Sequence, residues 1–206
     1  DSFCGKISVC NNLKQNSINF SLTVSHTIDP EKEKFQKDVQ KFVGICNVVD
    51  KLKNAHIGMI GSRPADFNTV RFSEKILQKN DISVEPISLL NLINKMESFS
   101  DNDKKVEDGL RELKSYLNTE EVPQTALLKM AKLLVVYRHW IKKNNIVAAA
   151  FQCWDSLQGS LGINPCMVMS ILSNEGVPSA CESDVMGALS MYALQAASNL
   201  PSAIVD

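Results

Sequence analysis

Apolar residues change along the chain between helical spacing and short continuous runs. An apolar residue at every third or fourth position predicts an amphipathic helix, and this spacing occupies residues 30–53, 66–79, 101–117, 124–143, 165–174 and 184–197. A shorter helix is predicted to begin at Ser88. Apolar runs too short for a helix predict strands, and these are residues 56–60, 82–86, 146–151, 177–181 and 202–205.

The order of these elements indicates the fold class. Strands that are apolar throughout are covered on both faces, as in parallel sheets. Strands alternate with helices, which predicts an α/β fold with a doubly wound, mostly parallel open sheet and helices on both faces, a Rossmann-like arrangement. This domain is predicted to occupy residues 30–200. Residues 1–29 are polar and predict a connecting segment or an edge hairpin, and residues 201–206 predict a last strand.

Composition narrows the function classes. The chain has 206 residues, 44% apolar content and a formal net charge of −1, without the basic face that a nucleic-acid partner requires. No apolar run approaches the ~18 residues of a membrane span, and the N-terminus has no signal-peptide pattern. The six cysteines contain no CxxC pair, so we expect reduced thiols and a cytoplasmic location. Because the chain does not begin with Met and ends on a strand pattern, we expect a piece of a longer protein.

Candidate chemistry lies where the predicted strands end, because open parallel sheets bind ligands outside the carboxyl ends of their strands. The rule selects residues 61–66, 152–155 and 182–184, together with Asp206. None of these loops has the GxGxxG or GxxxxGK[ST] spacing, which disfavours a nucleotide-dependent oxidoreductase. The guanidinium of Arg63 could hold a substrate oxygen or the carboxylate of a neighbouring subunit.

Two carboxylates follow successive predicted strands. Glu182 follows the fourth strand directly, and Asp206 ends the fifth. If these strands are neighbours, they lie ~4.8 Å apart, and two carboxylates at that spacing would share either a proton or a cation. Carboxylate oxygens favour hard ions such as Mg²⁺ or Mn²⁺. Strand-end acids also cap helices, and Asp184 is expected to cap the helix that follows.

The residues at these loops also resemble the L-fucose isomerase family, which includes D-arabinose isomerases. The resemblance covers nearly the whole chain and corresponds to the family's middle domain and the first strand of its C-terminal domain. The matching stretches are residues 57–64 with 67–69, residues 152–154, residues 176–178, residues 180–189 and Asp206, which lies 24 residues after Glu182.

The resemblance implies a metal-dependent aldose–ketose isomerase that acts through an ene-diol on a sugar such as L-fucose or D-arabinose. It implies Mn²⁺ or another divalent cation held by Glu182 and Asp206, which also serve as the acid/base pair. By the resemblance, Gln152 would contact the sugar, and the full-length enzyme would be a hexamer. Trp154 could pack on the sugar or on the core, and Arg63 is the further candidate for a sugar contact.

The resemblance also implies a histidine as third metal ligand, from the C-terminal domain. None of His26, His56 or His139 matches it, so this chain alone is expected to be inactive. The alternative from a different class is a non-catalytic Rossmann-like module that binds a sugar or a protein partner.

Overall fold

A computed structural model describes residues 2–205 and divides the chain between residues 47 and 48 into two compact units. The first unit contains helix α1 (Ser2–Gln15) and most of helix α2 (Glu33–Leu52). The Lys6 ammonium donates to the Thr23 hydroxyl over 2.8 Å, and the Val24 N–H donates to an Asp38 carboxylate oxygen over 2.9 Å. The connecting segment predicted for residues 1–29 therefore contains a helix of 14 residues, and no strand forms in its described part.

The second unit contains a four-stranded parallel sheet in the order β2-β1-β3-β4. The strands are β1 (His56–Ile60), β2 (Ser83–Ile87), β3 (Ala148–Phe151) and β4 (Ser179–Ala180). The helices are α3 (Glu74–Gln78), α4 (Leu89–Glu97), α5 (Lys104–Tyr116), α6 (Gln124–Lys143), α7 (Ser156–Leu161), α8 (Cys166–Asn174) and α9 (Val185–Ser198). The predicted α/β class with a doubly wound parallel sheet is confirmed.

Side chains on the two faces of the sheet belong to separate cores. Ala149 and Phe151 of β3 pack into one core with residues of α4, α5, α6 and α8. Ala148 and Ala150 of the same strand pack into the other core, with residues of α3 and α9. Successive side chains of a strand point to opposite faces, so a strand covered on both sides must be apolar throughout. This is why β3 has no polar position.

Helix α6 crosses the first of these cores. Tyr137 is fully buried, with its ring centroid 5.5 Å from that of Phe151 and its hydroxyl 3.3 Å from the Ser179 hydroxyl. Burial raises the pKa of Tyr137 well above its usual range. Although α6 has 20 residues, no helix within residues 2–205 is both long and apolar enough to cross a membrane.

Arg138 of α6 joins two neighbouring elements by ion pairs. Its guanidinium donates to both Glu112 carboxylate oxygens of α5, over 2.7 and 2.5 Å. It also donates to Glu175, which follows α8, over 3.1 Å from Nε and by a second bond from Nη2. Hydrogen bonds to Glu112 are the main reason that the pKa of Arg138 lies further above its usual range. A planar guanidinium that holds two carboxylates fixes the spacing of these helices.

The expected elements differ from the structure in three further places. Residues 66–79 form only a 3-10 turn at Asn68–Val70 and the short α3, because Arg71 is extended and Ser73 starts a new helix. Helix α7 was not predicted. The last strand, expected at residues 201–206, does not form at 201–205: Pro201 lacks an N–H, and Val205 is 87% exposed.

Candidate functional site

The loops that follow the strands are joined by backbone hydrogen bonds at the carboxyl edge of the sheet. The Gly61 N–H donates to Ile87 O of β2 over 2.9 Å, and the Gln152 N–H donates to Ile60 O of β1 over 2.9 Å. The Ser183 N–H donates to Phe151 O of β3 over 3.1 Å. The three loops that the sequence selected as candidate sites therefore lie along one edge of the sheet.

Glu182 reaches this edge through a sharp turn after β4. Glu182 and Ser183 both have left-handed backbone angles, with φ values of 57° and 58°. Such angles are costly for residues other than glycine and persist where the surroundings impose them. Here the surroundings include the buried Ser183 hydroxyl, which donates to Ile60 O over 3.2 Å. Asp184 then caps α9 by accepting from the Gly187 N–H over 2.8 Å, which confirms the expected cap.

Two cysteines face each other beside Glu182. The Sγ atoms of Cys153, in the loop after β3, and Cys181, directly after β4, lie 2.8 Å apart. This contact lowers the pKa of the Cys153 thiol to about 6, and the same contact, together with burial, raises the pKa of Cys181 well above its usual range. The negative charge of Glu182 opposes ionisation of both thiols.

The donor atoms at this edge test whether a metal ion would fit. One ligand atom each from Cys153, Cys181 and Glu182 lies within 4.8 Å of the others. The Glu182 carboxylate suits a hard ion such as Mn²⁺, whereas the two thiols suit softer ions. Asp206, the other predicted ligand, lies outside the described residues, and none of the three histidines belongs to this cluster. Among the described residues of this cluster, Glu182 is the one whose chemistry suits the implied ion.

Gln152 connects two loops of the site edge. Its Oε1 accepts from the Ser62 N–H over 2.8 Å, and its Nε2 donates to the Ser156 hydroxyl over 3.1 Å. Gly61 has a φ of +76°, and a Cβ built there would lie 2.2 Å from Gln152 Oε1 and 2.6 Å from Gln152 Cβ. The oxygen and the nitrogen of the Gln152 side-chain amide thus both have protein partners, and the glycine leaves the space that this side chain occupies.

The other two predicted sugar contacts lie in the same loops. Arg63 donates from Nη1 to Pro64 O over 2.7 Å and to Ala65 O over 2.8 Å, so part of its guanidinium holds its own loop in place. Trp154 is 51% exposed, and its ring centroid lies 5.8 Å from that of Phe67. An exposed indole beside a second aromatic ring is a surface on which a sugar ring can stack.

The cysteine pair and Ser183 are the features of this edge that sequence reasoning missed. The six cysteines were expected to be reduced thiols, without a particular pair, and Ser183 had no assigned role. The available signal was that Cys153 and Ser183 lie in loops already selected by the strand-end rule, and that Cys181 is the last residue of the fourth predicted strand. What the pattern lacked was the pairing of β4 with β3, which sets Cys181 beside the loop that carries Cys153 and brings the Ser183 N–H to Phe151 O.

Comparisons with known proteins find similarity to sugar isomerases. Residues 1–53 match the family model described as fucose/sulfoquinovose isomerase, N-terminal domain. A sulfoquinovose isomerase of Clostridium sp. (strain MSTE9) is 28% identical over 183 residues, which are 86% of this chain and 40% of that protein. The resemblance to the fucose isomerase family is confirmed.

Two further relatives, which are also sulfoquinovose isomerases, align over nearly the whole chain. The sulfoquinovose isomerase of Alkalicoccus urumqiensis is 26% identical over 199 residues, which are 94% of this chain and 43% of that protein. That of Priestia megaterium is 24% identical over 200 residues, 95% of this chain and 43% of that protein. The chain thus spans less than half the length of the relatives it matches.

The position of the chain within the family differs from the one that the resemblance implied. The sequence pattern assigned the chain to the middle domain and treated residues 1–29 as a connection, whereas residues 1–53 match the model of the N-terminal domain. Helix α1 and most of helix α2, which form the first unit, lie within this matched stretch.

Proposed function

We propose that this chain is part of a metal-dependent aldose–ketose isomerase whose acid/base carboxylate is Glu182. The observation that carries the proposal is the placement of Glu182 at the edge where β1, β3 and β4 end, held by the buried Ser183 bond to Ile60 O. Relatives that align with 86–95% of the chain are sulfoquinovose isomerases, which supports the same reaction class.

Glu182, together with Asp206, would hold a divalent cation such as Mn²⁺. A bound ion of this kind polarises substrate oxygens and stabilises the negative charge of an enediolate. Glu182 and Asp206 would transfer protons between C1, C2 and their oxygens, as the two halves of an aldose–ketose exchange through an ene-diol require. Gln152 would act chiefly by holding the loops at residues 62 and 156 in place, because its side-chain oxygen and nitrogen are already hydrogen-bonded to Ser62 and Ser156.

The substrate that the relatives favour is an anionic sugar. Sulfoquinovose carries a sulfonate, whereas L-fucose and D-arabinose, the sugars expected from the sequence, are neutral. Arg63 is the cationic side chain in the loop after β1, and a guanidinium suits an anionic oxygen group. Arg63→Met should therefore raise KM for sulfoquinovose more than KM for a neutral aldose, and Arg63→Lys should recover part of the loss.

The test uses the protein at its full natural length with Mn²⁺ and a panel of sulfoquinovose, L-fucose and D-arabinose, with ketose formation followed by NMR. Glu182→Gln should lower kcat by roughly 10²- to 10⁴-fold, as expected for loss of a general acid/base. Glu97→Gln, an exposed glutamate at the end of α4, is the matched control and should leave kcat unchanged.

A Glu182→Gln protein that binds Mn²⁺ as tightly as the wild type, combined with no isomerisation of any sugar by the wild type, would exclude this assignment. It would favour the non-catalytic binding module instead. The quaternary structure is a separate prediction: we expect a homo-oligomer, a hexamer by the resemblance, and light scattering after size-exclusion chromatography measures it.

A further inference from the structure

The two sulfur atoms at the site edge are placed for a covalent bond. Cys153 Sγ and Cys181 Sγ lie 2.8 Å apart, within about 1 Å of the S–S length of a disulfide. Cys153 is 4% exposed, and its loop and that of Cys181 follow the adjacent strands β3 and β4. We propose that Cys153 and Cys181 form a reversible intrachain disulfide, so that this edge of the sheet is a site of oxidative modification.

Geometry singles out these two among the six cysteines. Within residues 2–205, no other pair of cysteine sulfur atoms makes a hydrogen-bond contact. Cys4 and Cys46 are exposed. Cys166 is the competitor to test, because it lines the same cavity as Cys181.

A peroxide supplies the oxidising equivalents. The sulfur of one cysteine attacks a peroxide oxygen, which breaks the O–O bond and gives a sulfenic acid and one molecule of water. The other sulfur then attacks the sulfenic sulfur, forms the S–S bond and releases a second molecule of water. In sum, two thiols and one hydrogen peroxide give one disulfide and two waters. Two equivalents of a small thiol such as glutathione reverse the change by exchange.

The bond would change the edge without breaking the sheet. It would join the loop after β3 covalently to the residue that directly precedes Glu182, and so restrict the turn at residues 182–183. In a reducing compartment such a pair stays in the dithiol form, and oxidation is transient. The inference concerns thiol chemistry only, so its success does not depend on the proposed isomerase activity.

The test begins with the full chain, reduced with a phosphine, freed of reductant and exposed to hydrogen peroxide. Remaining thiols are trapped with N-ethylmaleimide in denaturant, and the digest is mapped by mass spectrometry. We expect two of the six cysteines to escape alkylation, with a cross-linked Cys153–Cys181 peptide that has lost two hydrogen atoms. Dithiothreitol should restore alkylation of all six.

Cys166→Ser is the matched control and should keep the cross-link, whereas Cys153→Ser and Cys181→Ser should each abolish it. Alkylation of all six thiols after peroxide treatment, without a cross-linked peptide, would overturn the proposal. A link from Cys153 to Cys166, or conversion of Cys153 to a sulfinic acid without any link, would overturn it equally. The wild-type map alone decides the matter, so poor folding of a serine variant does not obscure it.

Discussion

Gly61→Ala should destabilise the sheet unit by about 2–5 kcal/mol, because the new methyl group meets two separate obstacles. The first is the backbone: a φ of +76° places an L residue in the left-handed region, at a cost of about 1–2 kcal/mol. The second is Gln152. Rotation of that side chain can move Oε1 away, but it cannot move Gln152 Cβ, which would lie 2.6 Å from the new atom. Overpacking of this kind adds about 1–3 kcal/mol.

Gly162→Ala is the matched control for the backbone cost alone. Its φ is +66°, and a Cβ added there has no atom within 4 Å. Urea unfolding followed by tryptophan fluorescence measures both variants, because Trp140 and Trp154 belong to this unit. We expect a lower midpoint for Gly61→Ala than for Gly162→Ala, by roughly 0.5–1.5 M at a slope of about 2 kcal/mol/M. Equal midpoints would refute the claim that Gln152 is packed against this glycine.

Three further changes test the packing around the sheet by the same unfolding assay. Arg138→Met should cost about 1 kcal/mol, since its side chain is 34% exposed and its guanidinium holds two carboxylates. Arg111→Met, which loses one exposed ion pair within a helix, should cost less than about 0.5 kcal/mol. Equal losses would contradict a role for the double ion pair of Arg138. Burial raises the pKa of Tyr137 in the folded state, so the stabilisation from its neutral phenol is complete below pH ~10. Above that pH this stabilisation is lost by about 1.4 kcal/mol per pH unit. Tyr137→Phe should therefore flatten the fall in stability at alkaline pH, and an unchanged slope would argue against a buried phenol. Ser183→Ala should cost about 1 kcal/mol for the lost buried hydrogen bond, against a change within about 0.5 kcal/mol for the exposed Ser190→Ala.

Local pattern was sufficient to predict the elements that are buried on both faces. The apolar run at residues 56–60 predicted β1 with its observed bounds, and the spacing at 124–143 predicted α6 in full. Both signals come from burial, which constrains every position of a central strand and one whole face of a long helix. The same burial explains why the sheet class could be predicted.

Predictions failed where tertiary contacts decide the backbone. The apolar pattern at residues 202–205 is typical of a strand, but a strand also needs a partner for its N–H and C=O groups, which a pattern cannot provide. The contact between Cys153 and Cys181 depends on the pairing of β3 with β4, and no periodicity indicates which strands are neighbours. Glu182 itself could be placed at the edge, because the end of a buried strand can be located from sequence.

The bond from the Ser183 hydroxyl to Ile60 O joins residues 123 positions apart in the chain. Loop-closure entropy makes so distant a contact a late event in folding, so this edge cannot be completed locally. During synthesis, β1 and β3 can pair before residue 183 has emerged from the ribosome, and until then the turn that carries Glu182 has no anchor. Any chemistry that depends on this carboxylate would therefore begin only after β4 has joined the sheet, and a nascent chain without β4 would be inactive.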